Sequence, residues 1–166
     1  MINIDFYTNY EDENKLKIYD EYIKEYDEKI NRIIEEALKL NDIKLSNVYV
    51  GIGVVTPDRI HELNKEFRNV DRATDVLSFP MFSREELASG INELEENEEV
   101  SIGDIVLCLE VIENQAIEYG TGFNREMLYM ITHGICHLLG YDHIVQDEKK
   151  EMREMEEKIL SRIGEM

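Results

Sequence analysis

The segment His133-Gly-Ile-Cys-His137-Leu-Leu-Gly140-Tyr-Asp-His143 constrains this chain more than any other. His133 and His137 are four residues apart. On a helix their imidazoles share one face, about one turn apart. Gly140 is placed to stop that helix, because glycine accepts the left-handed backbone that ends many helices. The turn then brings His143 back toward the first two. Three neutral imidazoles with no fourth protein ligand match a catalytic zinc site, in which water takes the open position. The expectation is one zinc ion per chain, held by His133, His137 and His143.

The same offsets occur in the H-E-x-x-H-x-x-G-x-x-H pattern of metzincin proteases, whose glutamate is the general base. Gly134 stands at the glutamate position. The spacing for a metal is kept and the peptidase base is missing, so a protease reading loses its main chemical support.

The chain has 166 residues, the length of one domain with a real core. No apolar run approaches the roughly 18 residues that a membrane span needs. The start, Met1-Ile-Asn-Ile-Asp-Phe, lacks the basic-then-apolar order of a signal peptide. Cys108 and Cys136 form neither a C-x-x-C motif nor a disulfide framework. A cytoplasmic protein, with no membrane partner, is the natural expectation.

The formal charge is −19, whereas a nucleic-acid binder normally shows a basic patch. The acid is uneven. Residues 85–100 hold seven glutamates and no lysine or arginine. Between them, Arg59, Lys65, Arg68 and Arg72 meet only Glu62, Glu66 and Asp71 along residues 59–72. A solubilising surface is the simpler reading of the acid. The basic stretch is a candidate substrate-binding rim beside the metal.

Apolar periodicity orders the elements. Ile2, Ile4 and Phe6 alternate as a strand, and a long amphipathic helix runs over about 15–40. Residues 48–55 are a β-branched buried strand. Thr56 caps a second helix, with Pro57 at its first position, running to about Phe67. Residues 75–79 form a strand ended by Pro80, and the stretch 85–100 reads as a loop. A strand over 101–108 leads into a helix through Glu118, with Gly120 and Gly122 as breakers. Asn124 is placed to cap the histidine helix, and Asp147 to cap a last helix to about Arg162. This order predicts one α/β (α+β) domain over 1–166, with a four-stranded, mostly mixed sheet and about five helices.

Two further segments carry a family resemblance. One is Leu63-Asn64-Lys-Glu-Phe-Arg68-Asn-Val-Asp71-Arg-Ala-Thr74-Asp75-Val-Leu-Ser-Phe-Pro80, and the other is Ile102-Gly103-Asp104-Ile105. Together with HGICHLLGYDH they closely resemble the YbeY family of bacterial endoribonucleases, over about residues 48–155. The resemblance implies a zinc-dependent, single-strand-directed ribonuclease. It implies work on rRNA, at the 3′ end of 16S rRNA, with the small ribosomal subunit and assembly proteins as partners. It implies an α/β fold with a metzincin-like layout around the three histidines. His133, His137 and His143 match the family's metal-binding histidines, and Arg68 matches its functional arginine. The helix over 15–40 and the acidic loop 85–100 look like elaborations of the family core, and Cys136 replaces a usual leucine.

Single residues have competing readings. Arg68 is a surface ion-pair partner or a bidentate phosphate ligand, and its place before the 75–79 strand favours the second. Cys136 is a buried small hydrophobe, the commoner fate, or a sulfur able to reach the metal. Asp142 orients an imidazole or caps the turn. His61 is most simply a surface residue. Two rival functions remain at this point: a metallopeptidase with a carboxylate from elsewhere, and an assembly factor with structural zinc.

Overall fold

The computed structural model describes residues 1–91, 94–95 and 97–165. Asn92, Glu93 and Glu96 of the acidic stretch lie outside the described residues. The element order is β1 (Ile2–Thr8), α1 (Glu13–Leu40), β2 (Asn47–Val54), α2 (Pro57–Arg68), β3 (Val76–Pro80), α3 (Arg84–Ala88), β4 (Glu99–Leu107), α4 (Leu109–Tyr119), α5 (Phe123–Leu138) and α6 (Gln146–Arg162). The result is one α+β domain around a four-stranded mixed sheet, as the pattern of elements predicts.

The sheet order is β1-β2-β4-β3. β1, β2 and β4 run parallel, and β3 pairs antiparallel with β4 at the edge. α1 is the crossover that two parallel neighbours require. Val48, Val50, Ile52 and Val54 of β2 point into the main core. In β4 the core residues are Val100 and Ile102, then Ile105 and Leu107, so the alternation slips by one residue. Gly103 absorbs the slip. Its φ is +132°, and the β2–β4 register shifts beside it. A Cβ there would lie 2.3 Å from the Phe79 carbonyl oxygen, so glycine is required for β3 to approach.

α1 and α5 cover one sheet face, and α6 packs against both of them. Tyr26, Ile30, Ile33, Ile34, Ala37 and Leu38 of α1 are buried there, as their spacing predicts, and Tyr19 joins them. α2 covers part of the other face, where Ile60 meets Val55, Leu77, Val106 and Cys108. No helix among the described residues is long and apolar enough to cross a membrane.

Three expectations need correction. The stretch 85–100 is not all loop, because α3 opens it and Glu99 begins β4. A capping box starts α3, with the Ser83 hydroxyl accepting from the Glu86 N–H and the Glu86 carboxylate accepting from the Ser83 N–H. Five residues are too few to show an apolar period, which also raises the helix count to six among the described residues. Asn124 does not cap α5: Gly122, at φ +88°, precedes the helix, and the Asn124 amide oxygen accepts from the Tyr26 hydroxyl at 3.0 Å. Asp147 lies in the first turn of α6 rather than before it, where its charge favours the helix dipole.

Candidate metal centre

α5 carries His133 and His137 side by side on a face that opens into a groove beside β3, and Gly134, on the adjoining flank, is pinned against the sheet. A Cβ on Gly134 would sit 3.0 Å from the Ile105 side chain of β4. The same glycine's carbonyl oxygen accepts from the Ser78 hydroxyl of β3 at 3.4 Å. The missing glutamate therefore also suits the packing: a side chain at 134 requires the Ile105 side chain to give way by a few tenths of an ångström.

α5 ends at Leu138. Gly140 takes φ +94°, and a Cβ there would lie 2.5 Å from Arg84 Cβ, so the chain reverses tightly against the start of α3. His143 follows, with its backbone N–H donating to Asp142 Oδ1 at 2.7 Å. One ligand nitrogen from each of His133, His137 and His143 lies within 4.8 Å of the others, a group that could hold a metal ion.

The hydrogen bonds of the rings determine which nitrogens face inward. His137 Nδ1 lies 2.9 Å from the Tyr141 carbonyl oxygen, which can only accept. Nδ1 therefore carries the proton and Nε2 keeps its lone pair. His133 Nδ1 lies 2.8 Å from Glu156 Oε2, which directs its Nε2 inward as well. The two Nε2 atoms stand 3.2 Å apart. Two nitrogens each about 2.1 Å from a tetrahedral zinc are about 3.4 Å apart. Two inward lone pairs at this separation repel unless a cation lies between them. Burial, and further the neighbouring His133 and His143, lower the His137 pKa to about 4, which keeps that ring neutral as a ligand must be. The donor set thus fits a metal ion.

Glu156 is the site residue that the sequence reading missed. It is 2% exposed on α6, in the stripe that buries Met152, Ile159 and Leu160. An acidic residue on the buried stripe of an otherwise amphipathic helix was the available signal. Cys136 is fully buried on the core side of α5, and burial pushes its thiol pKa well up, so it packs as a hydrophobe. Asp142 caps the turn through His143 N–H and stays 3.9 Å from His143 Nδ1. His61 is part-exposed and meets Asp71 Oδ1 at 2.7 Å.

The histidines line a groove of 950 Å³, with Arg68, Ser78, Arg84 and Tyr141 among its walls. Arg68 is the last residue of α2, ended by Asn69 in the left-handed conformation, and it forms no ion pair among the described residues. The loop after it is held by Asn64, whose carbonyl accepts from Val70 N–H and whose amide donates to the Arg72 carbonyl at 2.9 Å. Of the four basic residues in this segment, only Arg68 lines the groove. Arg59 instead pairs with Glu62 at 3.1 Å, while Lys65 helps Asp71 stay below the usual carboxylate range, after the His61 hydrogen bond. Arg72 is exposed on the loop.

Fold and site together define an α+β protein with an open three-histidine group, two on a helix and one after its terminal turn, beside an antiparallel edge strand. A family model described as Endoribonuclease YbeY matches residues 9–164, and the chain belongs to that family. A Clostridioides difficile protein named Endoribonuclease YbeY is 45% identical over 152 residues, covering 92% of each chain. A namesake from Thermoanaerobacter sp. is 42% identical over 140 residues, covering 83% of this chain and 87% of that protein. A Thermotoga maritima protein solved in solution is similar in structure, with TM-score 0.51 and 27% identity over 98% of this chain and 91% of that one.

Proposed function

We propose that this chain is a zinc-dependent, single-strand-specific endoribonuclease of the cytoplasm. Its work is rRNA processing at the 3′ end of 16S rRNA and late maturation of the small ribosomal subunit. The observation that carries the reading is the pair of inward-facing Nε2 lone pairs 3.2 Å apart, in a groove that also holds Arg68, which has no ion-pair partner among the described residues. The relatives' name supplies the substrate class.

His133, His137 and His143 would hold the ion. Zinc bound there supplies Lewis-acid polarisation and a lowered pKa for water. Glu156 and the Tyr141 carbonyl fix two of the rings, so the ligand lone pairs need no reorganisation. They also occupy both Nδ1 atoms, so His133 and His137 are not free to carry protons to or from the substrate. Arg68, with planar paired donors, is suited to a non-bridging phosphate oxygen pair whose charge grows in the transition state. Arg59, Lys65 and Arg72 add a basic flank outside the groove that favours approach of a polyanion.

Two observations weigh against the rival readings. A structural zinc site is normally closed by four protein ligands. This one has three, and the His143 side chain is 50% exposed. A peptidase of this layout needs a carboxylate where Gly134 packs against Ile105. The test is metal analysis of protein prepared without chelator, paired with cleavage of single-stranded RNA by wild type and His137→Ala. About one zinc per chain, and cleavage lost with His137, is the expected result. Absence of a stoichiometric metal, or equal cleavage by both proteins, defeats the proposal.

A further inference from the structure

We infer that Arg84 is a second phosphate-binding residue of the metal groove, one that holds a non-scissile phosphate of the bound strand. The inference rests on the RNA reading above. Arg84 is the first residue of α3 and lines the same groove as the three histidines. Its guanidinium carbon lies 4.4 Å from the centre of the Tyr141 ring. Tyr141 is 6% exposed, and its hydroxyl donates to the Asn41 side chain. The Tyr141 carbonyl accepts the His137 Nδ1 proton. One buried residue therefore sets both the arginine, through its ring, and a histidine of the site, through its backbone. The close approach of Gly140 to the Arg84 backbone, 2.8 Å from a Cβ position to Cα, locks the two segments together.

A guanidinium held in this way loses little side-chain freedom on binding an anion. It also keeps donors to offer. Glu151 meets Nη2, and a guanidinium has five N–H groups. The ion pair is half-exposed on both sides, so a phosphate can share or displace it at small cost. The surroundings give the cation a purpose. The groove also carries Asp75, Glu85, Asp142 and Glu148, in a chain of net charge −19. One arginine at Arg68 leaves a polyanion few partners there, and Arg84 is the other one in the lining.

The experiment measures binding of a short single-stranded RNA to metal-loaded protein across a salt series. It compares wild type, Arg84→Ala and Glu151→Ala, with metal content and thermal melting recorded for each. Arg84→Ala is expected to weaken binding about tenfold and to make the slope of log K against log salt shallower by about 0.7, the release expected for one phosphate contact on a single strand. Glu151→Ala breaks the same ion pair but leaves the cation, so it should bind RNA at least as tightly as wild type. Unchanged affinity and slope in Arg84→Ala overturns the inference. So does an equal loss in Glu151→Ala, which would make the pair merely structural. If wild type itself binds no RNA, the ribonuclease reading fails first, and the two failures are separable.

Discussion

Glu156 Oε2 and His133 Nδ1 meet at 2.8 Å, joining α6 to the histidine helix across 23 residues of sequence. The carboxyl is nearly fully buried, so this contact replaces the water it gave up on folding. It also turns the His133 ring so that Nε2 faces His137.

Removing that partner should therefore weaken the site before it alters the groove. Glu156→Ala is expected to lower metal affinity by about 10- to 100-fold. Glu156→Gln, which can still accept from Nδ1–H, should lose less. A chelator-competition titration measures both, and affinity equal to wild type in Glu156→Ala would show that the ring is held by other means.

Gly134 is expected to resist restoration of the metzincin glutamate. Gly134→Glu places a Cβ 3.0 Å from Ile105 and should destabilise the fold by about 1–3 kcal/mol. No peptide cleavage should appear. The denaturant midpoint is the measurement, and the loss in the double variant with Ile105→Ala should be smaller than the sum of the two single losses. A midpoint unchanged by Gly134→Glu alone contradicts the packing argument.

Acid should destabilise the metal-free protein through His137. In the unfolded chain its pKa is near 6.5, and in the fold it is lowered to about 4, chiefly by burial. Between those values the unfolded chain takes up a proton that the folded one refuses. The contribution is complete above about pH 6.5, is lost as pH falls toward 4, and levels off below. Urea midpoints of chelator-treated wild type should drop more steeply over this window than those of His137→Gln. Parallel curves would refute the assignment.

Arg68→Ala should reduce RNA cleavage by about 100-fold with zinc content unchanged, as for loss of one transition-state donor. Arg68→Lys should recover little, because an ammonium lacks the paired planar donors. Single-turnover rates on one RNA substrate decide this, and wild-type rates in either variant would remove Arg68 from the mechanism.

The histidine motif, the glycine stop and the four strands were legible because each rests on local periodicity or backbone preference. Spacing of four puts two rings on one helix face wherever the helix goes, and alternation marks β2 whichever strand it joins. α3 was missed because a five-residue helix has no period to read, although its Ser83-to-Glu86 capping box was present. The misplaced caps at Asn124 and Asp147 show the limit of residue preference. Asn124 is used instead by Tyr26, a partner 98 residues away.

What the sequence by itself determined is the set of three imidazoles, their offsets and the turn that follows them, since these depend on neighbours along the chain. Tertiary structure alone decided which nitrogen of His133 faces inward and which of four basic residues reaches the groove. It also decided how closely Gly134 approaches Ile105. Those outcomes depend on Glu156 and Ile105 arriving from other elements, whereas the Tyr141 carbonyl reaches His137 from the turn just after it. Hydrogen bonding and close packing act over a few ångströms in space, at whatever separation the contacting residues have in sequence.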